Sequence, residues 1–476
     1  MLKFNQLSIG FWIKKLFRKG KKMAKMYSQE LSDFCYDIKF SDLDERTVND
    51  VKMRIADDMG VAIAATKTPI GEVLKNYFFK NNQTPQSSAW MEGFKKGNYY
   101  DVAGFNGACA HALDFDDVHN ASFAHVASLT IPAGLAIAQR DKKSGKDLIA
   151  AIVAGYEIAC RLGDCITPSS YYFWHSTAII GSFGAGMVTG KLIGLTKEQM
   201  RHCIGNCGTQ SAGLWEFNND GANSKLLHVA NANLCGIRAA ELAQAGFTGA
   251  SRILEGEKGL VKAIAKDYDI EVLTRDLEKR DWQVLKNSFK AYAACRHTHS
   301  ADYCAMEMVK EFNIDYKKIK KVVDSTYQVA LNITDNADPQ TLYQYKFSLQ
   351  YCIAASFVYQ DLMNSFSEEK INNPDVQELM KKVEVRCDED INNTFLKETD
   401  RWIHRLDVTM EDGTVYTKTV DYPIGDFNNP FDWQMLENKL YAITDGVLPL
   451  STMEKLIANI KELDSMDDVN KMFENL

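Results

Sequence analysis

Apolar residues recur at helical spacing through most of the first 260 positions, a pattern that predicts a succession of amphipathic and buried helices. One starts at Tyr27-Ser28-Gln29-Glu30 and runs on through Leu31, Phe34 and Cys35, and a second covers Asp42 to Ala65. Further helices are predicted over Val102–Ala112, Leu129–Gln139, Asp147–Leu162, Thr177–Leu192, Lys197–Ala212, Lys225–Ala245 and Gly259–Lys266. Ala and Gly recur within them at spacings of three and four, which lets backbones approach closely in a layered core. After Tyr268 the texture changes. β-Branched runs at Ile319–Ala330, Val383–Arg386 and Trp402–Val420 predict strands, the last folding about Glu411-Asp412-Gly413. Helices are predicted among them at Tyr345–Met363 and Asp375–Lys382, and the tail from Trp433 to Leu476 returns to helix. The pattern therefore reads as a mainly α fold, with a large helical domain and a smaller strand-bearing one.

Composition narrows the class. A chain of 476 residues is too long for one ordinary core, and 46% hydrophobic with 25% charged residues is globular. A net charge of −8 without basic–aromatic interleaving argues against a nucleic-acid partner. Eleven Cys without a CxxC pair point to a reducing, cytoplasmic setting without disulfides, and against an iron–sulfur cluster. No apolar run reaches the ~18 residues that span a bilayer, so no stable membrane insertion is expected. Residues 1–26 are rich in Lys and lack acids, with an apolar stretch from Leu7 to Ile13 cut off by Lys14 and Lys15. The expectation is a disordered basic extension, or a working start at Met23 or Met26; an interfacial helix docking on anionic membrane is the alternative. Gly184-Ala185-Gly186 followed by Gly190-Lys191 imitates a nucleotide loop. No strand precedes it, its spacing fits neither nucleotide pattern, and Leu192 stands where Ser or Thr is needed, so it reads as core packing.

Candidate chemistry gathers in a few segments. Lys290, Arg296, His297 and His299 fall within ten residues of an otherwise acidic chain, a cluster suited to binding anions. Asp114-Phe115-Asp116-Asp117 ends a predicted helix and invites two readings. One is a Mg²⁺ site for diphosphate chemistry, which lacks a good second acidic cluster because Lys225 and His228 follow Asn219–Ser224. The other is a carboxylate orienting His119 or His125, with helix capping as the plain structural use of Asp116 and Asp117. His175 follows Tyr171-Tyr172-Phe173-Trp174, aromatic company that disfavours its charged form and suits a base. Lys225 and His228 share a helix face otherwise lined by small residues, where a substrate carboxylate would pair the lysine. The chemistry these groups suit best is abstraction of a proton α to a carboxylate, with cations stabilising the enediolate and no cofactor.

These segments resemble the MmgE/PrpD family, which includes 2-methylcitrate dehydratase, cis-aconitate decarboxylase and iminodisuccinate epimerase. The resemblance rests on Leu113-Asp114-Phe115-Asp116-Asp117 with His125, Gly155-Tyr156-Glu157 with Arg161-Leu162-Gly163, Trp174-His175-Ser176-Thr177, Lys225-x-x-His228 with Ala232, Gly246-Phe247-Thr248-Gly249, and Lys290 to His299. It implies a homodimer whose large all-helical domain (27–280 plus 427–476) carries a smaller α+β lid domain (281–426). It also implies a cleft lined by Asp114, His125, His175, Lys225 and Lys290, with Tyr351 joining them and Arg296 and His299 as further substrate-binding groups. The decarboxylase has a His five positions after the lysine, where this chain has Cys295 followed by Arg296 as in dehydratase-like members. Val126 also replaces a common Pro, and one extra residue lies between Asp114 and His125. The expected activity is dehydration of a 2-methylcitrate-like hydroxy acid, a small polycarboxylate, with no metal; epimerisation or decarboxylation on the same cleft is the alternative.

Overall fold

A computed structural model describes residues 25–80 and 84–476; the basic N-terminal stretch up to residue 24 lies outside the described residues. Helices α1 (Tyr27–Asp37), α2 (Glu45–Ala65), α3 (Pro69–Phe78), α4 (Tyr99–Ala112), α5 (Ala127–Arg140), α6 (Gly145–Ile166), α7 (Ser176–Leu192), α8 (Lys197–Gly208), α9 (Ser224–Gln244) and α10 (Leu260–Ile264) build the first part. The second holds α11 (His299–Phe312), β1 (Ile319–Thr326), α12 (Gln328–Thr334), α13 (Leu349–Tyr359), α14 (Pro374–Met380), β2 (Val383–Cys387), α15 (Glu389–Lys397), β3 (His404–Met410) and β4 (Val415–Val420). Two last helices, α16 (Trp433–Thr444) and α17 (Leu450–Lys461), return to the first part, where Leu436, Leu440, Met453 and Leu456 join its core.

Helix α7 lies at the centre of the helical part and is buried on all sides, against α5, α6, α8 and α9. Its small residues make that possible: a Cβ on Gly186 would fall 2.5 Å from the Cys207 sulfur, and one on Gly236 of α9 only 2.4 Å from Ala185. The glycine run that imitates a nucleotide loop is thus interhelical packing. Elsewhere the strands order as β2-β1-β3-β4, with β1 and β2 parallel and the other pairs antiparallel, and α11 and α13 pack on the sheet. A third cluster, Val118 and Phe123 with Tyr327, Phe395, Trp402 and Ile403, seals the two parts together.

Several boundaries differ from the periodic expectation. The run Ile319–Ala330 stops being strand at Thr326 and turns into α12, because Tyr327 and Ala330 pack into the sealing cluster. The predicted Tyr345–Met363 helix is broken: a single turn over Leu342–Tyr345 gives way, and α13 restarts at Leu349 with Ser348 Oγ accepting from the Tyr351 amide at 3.1 Å. Helix α3, capped by Thr68 with Pro69 at its first position, and α15, capped by Asp388, were not expected. Trp282, Val284 and Phe289 pack in the helical core, so the crossing between cores falls between Phe289 and Ala291.

Lys439 of α16 clamps the C-terminal return. Fully buried, it lies 2.7 Å from the buried Asp57 carboxylate of α2, donates to the Phe115 carbonyl at 2.9 Å and stands 3.9 Å over the Phe115 ring. Lys439→Met leaves Asp57 an uncompensated buried acid and should cost about 3–5 kcal/mol in denaturant unfolding, most of it recovered in K439M/D57L.

Candidate active site

Helix α4 ends in the turn that founds the site. Asp114 adopts the left-handed region at φ 54°, where a side chain other than glycine costs on the order of 1–2 kcal/mol. Lysines hold this turn by its backbone: Leu113 O accepts from Lys346 Nζ at 2.5 Å, Asp114 O from Lys290 Nζ at 2.7 Å, and Phe115 O from Lys439 Nζ at 2.9 Å. The Asp114 carboxylate accepts from Lys225 Nζ at 2.8 Å and Lys290 Nζ at 3.1 Å. Burial alone would raise its pKa, but the two ammonium groups outweigh burial and hold it well below the usual carboxylate range.

The neighbouring acids have separate work. Asp116 sits between two imidazoles, with His111 Nδ1 2.8 Å from Oδ2 and His125 Nδ1 3.2 Å from Oδ1. The hydrogen bond keeps the His111 proton on Nδ1, and beside His125 the nearby negative charge favours a proton on Nδ1 without a hydrogen bond between them, leaving Nε2 as the basic atom. His125 Nε2 lies 3.9 Å from Asp114 Oδ1, so Asp116 rather than Asp114 orients this ring. Burial lowers the His125 pKa against the pull of Asp116, and His111 is pushed down to about 4 in the same way. Asp117 accepts from Arg54 Nη1 at 3.1 Å, Tyr156 Oη at 2.8 Å and the Ala127 amide at 2.8 Å, which fixes the start of α5.

A short bridge delivers the second wall. Val118 and His119 pair antiparallel with Ser288 and Asn287, which brings the chain back beside the aspartate turn two residues before Lys290. Arg54 locks the pairing by donating to Asn287 O at 2.8 Å while it holds Asp117. Farther along, Arg296 donates from Nη2 to Asp426 Oδ2 at 2.8 Å and lies 5.6 Å over Trp402, yet its Nε and Nη1, also buried, have no partner among the described residues. His175 caps α7, its Nδ1 3.1 Å from His228 Nδ1 and its ring 5.0 Å from that of Trp215; burial holds its pKa well below the usual value.

Asp114, His125, His175, Lys225, Lys290 and Arg296 line one tight cavity of about 20 Å³, walled by Tyr171, Trp215, Phe347 and Trp402. A larger cleft, about 510 Å³, lies outward and shares Tyr171 and Trp215 with it. Two expected residues are elsewhere. Tyr351 donates to Ser365 O at 2.5 Å inside the α+β core, because the break before α13 turns Phe347 toward the cavity in its place. His299 opens α11, its Nε2 3.2 Å from Ala294 O and its ring against Tyr292, since the turn over Arg296–Thr298 rotates it into that core. His111 and Lys346 were not anticipated, and the carboxylate expected beside His125 from the aspartate cluster is Asp116 rather than Asp114; His111 one turn before Asp114 is the signal that could have found the first. Among the described residues, His111, Asp116 and His125 are the one group placed to hold a metal ion. The diphosphate reading loses its ligands, because lysines occupy Asp114 and Arg54 occupies Asp117.

Family models for the MmgE/PrpD N-terminal and C-terminal domains match residues 29–273 and 292–464. Among curated relatives, cis-aconitate decarboxylase of Mus musculus is 26% identical over 94% of this chain and 92% of its own length. The Homo sapiens protein of that name is 26% identical over 94% and 93%, and one from Aspergillus terreus 25% over 78% and 80%. No helix among the described residues is long and apolar enough to cross a membrane.

Burial pushes His111 and His228 down to about 4 and His119 and His297 to about 3. In the unfolded chain these rings protonate near ~6.5, so between about 6.5 and 4 the unfolded state binds more protons. Their contribution is complete above about 6.5 and is lost as pH falls, by up to ~1.4 kcal/mol per pH unit for each ring. Thermal melts should therefore show stability falling from pH 6.5 to 4, with a shallower slope in His119→Asn. Asp114 and Asp116, both held low, add further loss as pH drops below ~3.9.

Proposed function

Because this chain belongs to the MmgE/PrpD family, we propose that it is a lyase that forms and quenches a carbanion next to a carboxylate of a small polycarboxylic acid. The observation that carries this is Arg296: a buried guanidinium with one edge on Asp426 and two donors unpaired at the cavity. Leaving donors of a charged group unpaired costs on the order of 1–3 kcal/mol each, and a substrate carboxylate on that fork removes the penalty. Lys225 and Lys290 face the same space with only one carboxylate, Asp114, between them, so the lining has cations to spare for a second anionic group.

The first reading is dehydration of a 2-methylcitrate-like hydroxy acid. His125 Nε2 takes the α-proton, its opposite nitrogen held by Asp116, and the electron pair moves into the carboxylate as an enediolate. Lys225, Lys290 and Arg296 stabilise that charge where it develops. The pair then returns to form the carbon–carbon double bond as the neighbouring carbon–oxygen bond breaks, and the hydroxyl takes the proton from His125 Nε2 and leaves as water. His175, steadied by His228, is the second imidazole available for proton movement. Cys295 on the cavity, where the decarboxylase has histidine, favours this reading. The relatives named cis-aconitate decarboxylases favour a second, in which loss of CO₂ generates a similar carbanion that is then protonated.

Proton NMR of the protein with 2-methylcitrate, citrate, cis-aconitate and iminodisuccinate in D₂O, with and without chelator, separates them. New vinyl signals from a hydroxy acid are expected; consumption of cis-aconitate with release of CO₂ would replace dehydration by decarboxylation, and deuterium exchange without net change would indicate epimerisation. On the substrate turned over, Lys290→Ala should lower turnover by about three orders of magnitude with the fold kept. Arg296→Gln should reduce kcat/KM about 10- to 200-fold. Near-normal activity in either variant would remove the carboxylate clamp.

A further inference from the structure

His297 is buried, 2% exposed, yet nothing in the reading above uses it. Its ring lies flat on Trp402, centroids 4.2 Å apart at 14°, with Phe123 edge-on at 5.6 Å. Nδ1 is 2.7 Å from the Tyr327 hydroxyl. Nε2 has no partner among the described residues, and the residue lines the same cavity as Arg296 and Lys290.

The proton on this ring can be placed. Tyr327 is fully buried, stacked on Phe395 at 4.1 Å, and His297 Nδ1 is the one acceptor its hydroxyl reaches among the described residues. If Nδ1 carried the hydrogen, the hydroxyl would have to accept it and leave its own proton buried and unpaired. That proton would then be shut in the closed cluster of Phe395 and Trp402, whereas a hydrogen on Nε2 belongs to a ring that lines the cavity, where a substrate oxygen can pair it. The hydroxyl therefore donates, Nδ1 accepts, and the ring hydrogen sits on Nε2. Burial keeps the ring uncharged, with its pKa pushed down to about 3. A neutral imidazole of this kind cannot act as a strong acid, but it can donate a hydrogen bond to an oxygen that gains charge.

We propose that His297 is a catalytic residue of this site, its Nε2–H donating to a carboxylate oxygen of the substrate as the enediolate forms, and that Tyr327 is the positioning residue that keeps the proton on Nε2. This rests on the polycarboxylate reading of the cavity. It also puts an imidazole on the cavity from a segment in which Cys295 stands where the decarboxylase has histidine and His299 is turned into the other core. No proton is transferred by His297, so the role holds for dehydration and decarboxylation alike.

The test uses the full chain labelled with ¹⁵N-histidine, together with His297→Phe, which keeps a ring on Trp402 but removes the donor, and His297→Gln, which keeps an N–H. Long-range ¹H–¹⁵N correlations should show His297 protonated on Nε2, and Tyr327→Phe should shift it to a mixture. On the acid the wild type turns over, H297F should lose about 100-fold or more in kcat with a much smaller change in KM. H297Q should recover at least about tenfold of that loss, and Y327F should lower kcat with KM unchanged. A proton on Nδ1 overturns the proposal without reference to any substrate. A working wild type beside an H297F within about threefold of it overturns the catalytic role alone. A wild type silent on every acid, with the Nε2 tautomer present, overturns the polycarboxylate reading and the catalytic role with it.

Discussion

The aspartate turn after α4 is the constraint on which the rest depends. Three successive carbonyls, Leu113, Asp114 and Phe115, each accept from a different lysine, and those lysines come from distant parts of the chain. Lys346 and Lys290 belong to the second half and Lys439 to the C-terminal return, so the turn cannot keep its left-handed residue unless all three segments are docked. Strain of this kind persists where the surroundings over-determine it. The geometry of the site therefore draws on both parts of the fold at once.

Charge explains why this arrangement suits catalysis better than stability. Buried ion pairs lose much of their Coulomb gain to desolvation and add little net stability, but removal of one member is expensive. Within four residues the chain spends three acids on three tasks: Asp114 spaces two lysines, Asp116 fixes two imidazoles, and Asp117 pins Arg54, Tyr156 and the start of α5. Only the first faces the cavity. The lining is left with more positive than negative groups and with unpaired guanidinium donors, a field prepared for an anion that the protein does not itself supply.

The helical half was legible because its helices are long and periodic, and burial on one or all faces leaves a repeating mark. That the segment from Lys290 to His297 lines the cavity was legible for a different reason: Lys, Arg and His close together in an acidic chain have few structural uses. Errors came where a local signal was weaker than a tertiary one. Tyr351 carries the period of a continuous helix, and nothing in the period announces that Ser348 restarts it and gives Phe347 the cavity. His299 lies near Arg296 in sequence but follows a tight turn that carries it into another core. Lys346 gives no signal, since an ordinary surface lysine would look the same.

Residue types and spacing by themselves determined the mainly helical fold with its smaller strand-bearing part and the location of the acids and cations. These follow from interactions that are local or compositional. Which acid holds which base, which histidine nitrogen faces the cavity and which of several charged groups stays unpaired were decided only by the tertiary structure. Each depends on a distance of about 3 Å between residues up to several hundred positions apart, such as Phe115 and Lys439, and a linear pattern has no means of recording such a distance.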